Sequence, residues 1–275
     1  METQKQRKGT EDNSYGRWLR FTLGTVLAML VLIGGMVVYV DPFFHYHKPL
    51  GHLAYPIDSE RYQNDGISRN FTYDAVLTGT SMMENFKASR FDSLFGVTSI
   101  KIPYAGGYYK EVDQAVRRAI AYQPRIRVVC RSLDRSFLFY PKDEWNPAAP
   151  SPAYLLDGNP FNDVNYIFNK EVIFGTIPGV FARTRAGEQT TTFDEYMHWA
   201  PERDWGREAV LKTYEREPRR EETALFTEED RRMVMENLEQ NVLATARANP
   251  QVTFYYFIPP YSISWWDSEL MVKGE

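Results

Sequence analysis

Phe21 to Val40 is a run of twenty residues without a single charge. At about 1.5 Å of rise per residue, a helix of that length crosses a hydrocarbon core of roughly 30 Å. A core helix of a soluble protein usually keeps a polar stripe, and this run has none. The run therefore splits the chain into a short leader, a spanning segment and everything after it. Its flanks set the direction. Lys5, Arg7, Lys8, Arg17 and Arg20 precede it, whereas residues 41–60 contain Lys48 as their one Lys or Arg. The positive-inside rule places the N-terminus in the cytoplasm and the chain after Asp41 on the far side of the plasma membrane. Trp18 and Tyr39 fit the two interfaces. A cleaved signal peptide competes with this reading, but the run is long for one and no A-x-A site follows it. The expectation is a single-pass signal anchor over 17–40, preceded by a polar, disordered cytoplasmic tail at 1–16.

Residues 41–72 read as an aromatic, proline-containing connector. His45-x-His47 with His52 invites a metal reading, yet no Asp, Glu or Cys stands at ligand spacing, so no metal is expected. Arg61, Asp65 and Arg69 read as a solvated or loop-pinning set. No long basic block follows residue 20, and the net charge is −4, which disfavours nucleic acid as a partner. The one cysteine, Cys130, lies in an apolar run and reads as a small buried hydrophobe.

From Tyr73 onward the pattern alternates. Apolar runs of strand length at about 73–78, 97–102, 125–131 and 252–258 are separated by amphipathic helical stretches, the clearest from Tyr108 to Tyr122. This order predicts an α/β domain on a parallel sheet with right-handed crossovers. Between Ser136 and Phe226 the alternation stops for about ninety residues, too many for a structureless loop. Asn159-Pro160 signals a helix start, and Pro178-Gly179 an interruption within a largely helical 161–183. The stretch at about 136–226 is expected to be an inserted helical cap. Thr227-x-x-Asp230 then opens a helix running to about Ala248.

Ligand sites in open α/β sheets lie beyond the carboxyl ends of the strands. There the sequence delivers Thr80 and Ser81, Gly106 and Gly107, Ser132 and Asp134, and Tyr261 and Ser262. A serine at a strand–turn–helix junction lies beside free helix N–H groups, where an acyl-transfer nucleophile is placed. A plainer reading stands beside it: Ser81-x-x-Glu84 is also a capping box. Likewise Gly106-Gly107 either supplies an oxyanion N–H or simply turns the chain. His198, in FDEYMHWA, is a packing residue or a substitute base.

These blocks resemble the SGNH hydrolase superfamily, the GDSL-type esterases and acetyltransferases. Gly79-Thr80-Ser81 stands where that family carries its nucleophile, and Gly106-Gly107 where a glycine N–H lines the oxyanion hole. GTSMMENF, DPFFHYHKPL, ERYQNDGI and the anchor are similar to membrane-tethered members of bacterial surface-polysaccharide clusters, in layout like the D-alanyl-transfer proteins of teichoic acid synthesis. The resemblance implies an SGNH/flavodoxin-like three-layer domain over 73–275, with Ser81 as nucleophile and the N–H groups of Ser81 and Gly106 or Gly107 as oxyanion donors. It has two departures. The family's third block carries an Asn where this chain has Asp134, and an ionised carboxylate cannot donate to an oxyanion. Asp134 would then orient another group or cap the next turn. The family's Asp-x-x-His block is also missing, which implies a domain incomplete at Glu275 whose catalytic Asp and His would follow it. The function implied is a serine-dependent esterase or O-acyltransferase acting on acyl groups of a cell-envelope polysaccharide, inactive in this truncated form. Its partners would be a cell-surface glycan or acyl donor and, through residues 21–40, the membrane, with no cofactor. The alternative is a non-catalytic, membrane-anchored scaffold or glycan-binding protein in which Ser81 is only a helix cap.

Overall fold

The apolar runs become strands because they are short, rich in β-branched and aromatic residues, and closed by turn formers. The computed structural model describes residues 2–214 and 226–266. It contains β1 (Ala75–Gly79), β2 (Ser99–Pro103), β3 (Val128–Ser132) and β4 (Thr253–Phe257). All pairings are parallel, in the order β2-β1-β3-β4. β1 is buried along its whole length, as expected of a parallel strand covered on both faces. Its alternate residues serve two cores. Val76 packs with Ile100, Ile102 and Val112 on one side. Ala75 and Leu77 pack with Met83, Phe91 and Cys130 on the other. Burial pushes the Cys130 thiol up to about 11, which keeps it a neutral, inert hydrophobe at neutral pH.

The helices before and between the strands are α1 (Glu2–Val40), α2 (Glu60–Asn70), α3 (Ser81–Glu84), α4 (Ala88–Phe95) and α5 (Tyr109–Tyr122). α1 contains a stretch, Tyr15–Val40, long and apolar enough to cross a membrane. The helix does not begin at residue 17, as a disordered tail would require, but continues back to Glu2. The leader is rich in Glu, Lys, Gln and Arg, which propagate a helix once a long neighbour has nucleated it. α1 ends at Asp41, whose φ of +46° breaks the helix. The Asp41 carboxylate accepts from the N–H groups of His45, Tyr46 and His47 at 2.7–3.0 Å and from the Tyr166 hydroxyl at 2.8 Å.

The stretch 41–72 is more than a connector, because its second half is α2, which packs on β2 and α5. The propensity pattern hides this helix. Gly66, Asn64, Asp65 and Ser68 all weaken a helix in isolation, yet all four are buried. Gly66 is there for packing: a Cβ on it would lie 2.2 Å from Phe43 O and 2.6 Å from Phe44 O. Nor is Asp65 solvated. It is 3% exposed and holds Arg69 at 3.0 Å and Arg118 at 2.6 Å.

After β3 come α6 (Val164–Ile167), α7 (Ile177–Arg185) and α8 (Arg207–Thr213) among shorter turns. Pro178 does not interrupt its helix. It occupies the first turn of α7, directly after a π turn over Val172–Thr176, where the lost N–H breaks no ordinary α-helical bond. The break falls earlier, at Phe168–Asn169. α9 (Glu228–Leu238) starts on the capping box of Thr227 and Asp230. It runs through a second π turn, Glu239–Leu243, into α10 (Ala244–Ala248). In that turn Asn241 O accepts from buried Arg131 at 2.6 Å, which ties the helix to β3.

Gly66→Ala separates propensity from packing. Propensity alone predicts a gain of about 1 kcal/mol. The clash with backbone oxygens predicts a loss of about 1–3 kcal/mol, to be read from urea unfolding of the detergent-solubilised chain.

Candidate active site at the carboxyl ends of the strands

The strand order reverses at β1, since β2 lies on one side of it and β3 on the other. The crevice at that switch point is where this class of sheet places ligands. Gly79 closes β1 there with φ +149°. A Cβ at Gly79 would come within 1.9 Å of Ser132 Oγ, so both the conformation and the approach of β1 to β3 require glycine. Thr80 follows in an extended conformation as N-cap, and Ser81 is the first residue of α3. The Ser81–Glu84 capping box does not form. Thr80 occupies the cap position, no side chain caps the helix, and Glu84 turns into the core. Ser81 Oγ makes no hydrogen bond among the described residues, and the residue is half-buried.

Asp134 is brought against Thr80, the residue before Ser81. Its Oδ2 accepts from Thr80 Oγ1 at 3.0 Å and from the Tyr261 hydroxyl. Its Oδ1 accepts from Ser136 N at 3.2 Å, and its carbonyl from the Tyr109 hydroxyl at 3.2 Å. One Asp134 oxygen thus caps the turn after β3 and the other accepts from Thr80. Burial, with the Asp134 carboxylate, raises the Tyr261 phenol well above its ordinary value, so it stays a donor. One carboxylate thus joins the ends of β1, β3 and β4.

The loop after β2 forms the facing wall. Tyr104 N donates to Gly79 O at 2.9 Å, and Gly107 N donates to Tyr104 O at 2.8 Å. The Gly107 N–H is therefore engaged within its own turn. A Cβ on Gly107 would also meet Tyr104 O at 2.9 Å. Gly106 has φ +61°, and its carbonyl accepts from Asn146 Nδ2 at 2.8 Å. Among the described residues no acceptor engages the N–H of Ser81 or of Gly106.

Buried side chains of α2 fasten this loop. Glu60 Oε2 accepts from Ala105 N at 2.7 Å, while Arg61 holds Ala105 O at 3.0 Å and grips Glu111 at 2.7 and 3.0 Å. Glu60 Oε1 and Glu84 Oε1 are both buried without a hydrogen-bond partner among the described residues, and burial raises both carboxyls. Burial, and then Glu60, push the Glu84 carboxyl up to about 9, so the proton is held at neutral pH. Next to it Lys101, fully buried on β2, donates to Glu84 O and Phe86 O and so caps the end of α3. Burial pushes its ammonium down to about 8.

The segment before α8 covers α3. Trp199 Nε1 donates to Ser81 O at 3.1 Å and Ala200 N to Asn85 Oδ1 at 2.9 Å. Trp205 stacks on Trp199 with ring centroids 6.1 Å apart. His198 is thus one residue from a contact with Ser81, but its imidazole makes no hydrogen bond to Ser81 Oγ among the described residues. Burial, then the cations of Lys101 and Lys87, lower its pKa. The other histidines are engaged structurally: His45 faces Asp163 at 3.4 Å, His47 holds Val38 O and Lys48 O, and His52 meets Tyr39. Among the described residues no cluster of three His, Cys, Asp or Glu could hold a metal.

No protein-family model, curated protein or solved structure matches the chain. The sequence reading missed Glu60, Glu84 and Lys101 as one unit, and Asn146 and Trp199 as neighbours of the crevice. Only Glu84 carried a signal, and that signal pointed to a cap.

The acidic pair predicts a pH dependence. A carboxyl whose folded pKa lies above its unfolded value contributes stability below the ordinary carboxyl range and loses it as pH rises towards about 9. Lys101 acts in the opposite sense, but only between about 8 and its ordinary value. Between pH 5 and 8 the melting temperature of the wild type should therefore fall, and Glu84→Gln, which cannot ionise, should flatten that slope.

Proposed function

We propose that this chain carries the nucleophile of an SGNH-like serine esterase or O-acyltransferase. α1 would hold it to a bacterial plasma membrane with the α/β domain outside, and its substrate would be an acyl group on a cell-envelope polysaccharide. The observation that carries the reading is Ser81: half-buried at the switch point of a parallel sheet, with its Oγ and its N–H, like the N–H of Gly106 on the loop after β2, engaged by no partner among the described residues. In the proposed reaction Ser81 Oγ attacks the acyl carbonyl. The two N–H groups hold the oxyanion, the C–O bond to the sugar breaks, and the departing hydroxyl takes up the serine proton through a base. Water or an acceptor hydroxyl then removes the acyl group from Ser81. Asp134 would act as a positioning residue through Thr80. Trp199 and Trp205 offer apolar ring faces beside Ser81 of the kind that stack on sugars.

The base is what the reaction still needs, since among the described residues no imidazole or carboxylate is bonded to Ser81 Oγ. That observation favours the second reading, a membrane-anchored scaffold or glycan-binding protein that keeps the fold without the chemistry. A fluorophosphonate probe and an aryl acetate separate the two. The enzyme reading expects covalent labelling at Ser81, and Ser81→Ala should lose it, together with at least ~100-fold of any ester hydrolysis. A folded wild-type protein that neither labels nor hydrolyses would leave the scaffold.

A further inference from the structure

The last turns of α1 are shared between the apolar run and the folded domain. Val37 and Val40 are fully covered by the domain core, whereas Val38 and Tyr39 stay exposed. α6 and the π turn at Val172–Thr176 pack directly on α1. Ile167 Cγ2 lies 3.3 Å from where a Cβ on Gly34 would be. Gly34 stands six residues before Val40, or about 9 Å along the helix axis. If the domain stood wholly clear of the bilayer, the uncharged run left to span it would be Phe21–Ile33. That is about 20 Å of helix, roughly 10 Å short of a hydrocarbon core.

The surface of the elements that touch α1 resolves this mismatch. Phe161 is 90% exposed and Phe174 80% exposed, and Val164, Phe168 and Phe181 are exposed around them. So many open aromatic and aliphatic side chains on one short segment is more than a water-facing cap needs. Lys170 and Glu171 between them are also exposed, which suits the headgroup boundary and not the hydrocarbon centre.

We propose that residues 161–181 form a membrane-embedded shelf: Phe161, Phe168 and Phe174 sit at the headgroup–acyl boundary of the leaflet in which α1 ends. The occupant of this apolar face is lipid. The inference rests on α1 being a membrane anchor and is independent of the proposed chemistry at Ser81.

The test uses the full chain in phosphatidylcholine–phosphatidylglycerol vesicles. Single cysteines replace Leu27, Ser93, Phe161 or Phe174 in a Cys130→Ala background and carry an environment-sensitive fluorophore. Leu27 reports the anchor, and Ser93, on α4, reports a water-facing element. Probes at 161 and 174 should shift to the blue and be quenched by lipids spin-labelled at a shallow acyl position, with iodide quenching at least about fivefold weaker than at 93. If 161 and 174 behave like 93 while 27 is quenched by deep lipid labels, the shelf is overturned and the anchor stands. If 27 also reports water, the anchor fails and the shelf with it. Each variant is exposed at the altered position, and an unchanged melting temperature verifies its fold.

Discussion

Two buried carboxyls, Glu60 and Glu84, stand where three pieces of chain that the sheet alone does not fix come together. Glu60 comes from α2, Glu84 from α3, and through Ala105 the pair reaches the loop that carries Gly106. Burial raises both carboxyls and so favours a protonated form, which relieves the repulsion between them. Lys101, fully buried on β2, closes α3 by donating to Glu84 O and Phe86 O.

The floor of the crevice is built by a different device. Gly79 lets β1 approach Ser132 on β3 more closely than any side chain would permit. Asp134 then draws in Thr80 and Tyr261 from either side. Ser81 inherits its position from Thr80, so its placement rests on backbone contact and on one carboxylate, and no capping bond of its own is needed. A serine held this way keeps its hydroxyl available, whereas a capping serine would have its oxygen engaged by helix N–H groups.

The same logic joins the domain to α1. Asp41 ends the helix in a left-handed turn and satisfies three N–H groups of the chain that follows. Tyr166 reaches the same carboxylate from the inserted segment, and Tyr46 and His45 meet Asp163 beside it. The inserted segment that carries the exposed phenylalanines of 161–181 packs on the same helix through α6 and the π turn.

The sequence by itself determined the features carried by local pattern: the uncharged run, four strands in parallel order, the amphipathic α5, and the Thr227–Asp230 cap. It also placed Ser81, Gly106 and Asp134 at the same sheet edge, because strand direction in alternating α/β patterns follows from connection rules. Only the tertiary structure decided α2, whose Gly66 and buried polar residues look like a loop until Phe43 and Phe44 are laid against them. It alone decided that Glu84 faces Glu60 instead of capping a helix, and that Gly107 is engaged in its own turn while Gly106 is open. The physical reason is common to α2 and Glu84. Periodicity and propensity report what a residue does within its own segment, whereas close backbone approach and the facing of two buried carboxyls depend on partners more than twenty residues away, which no local pattern encodes.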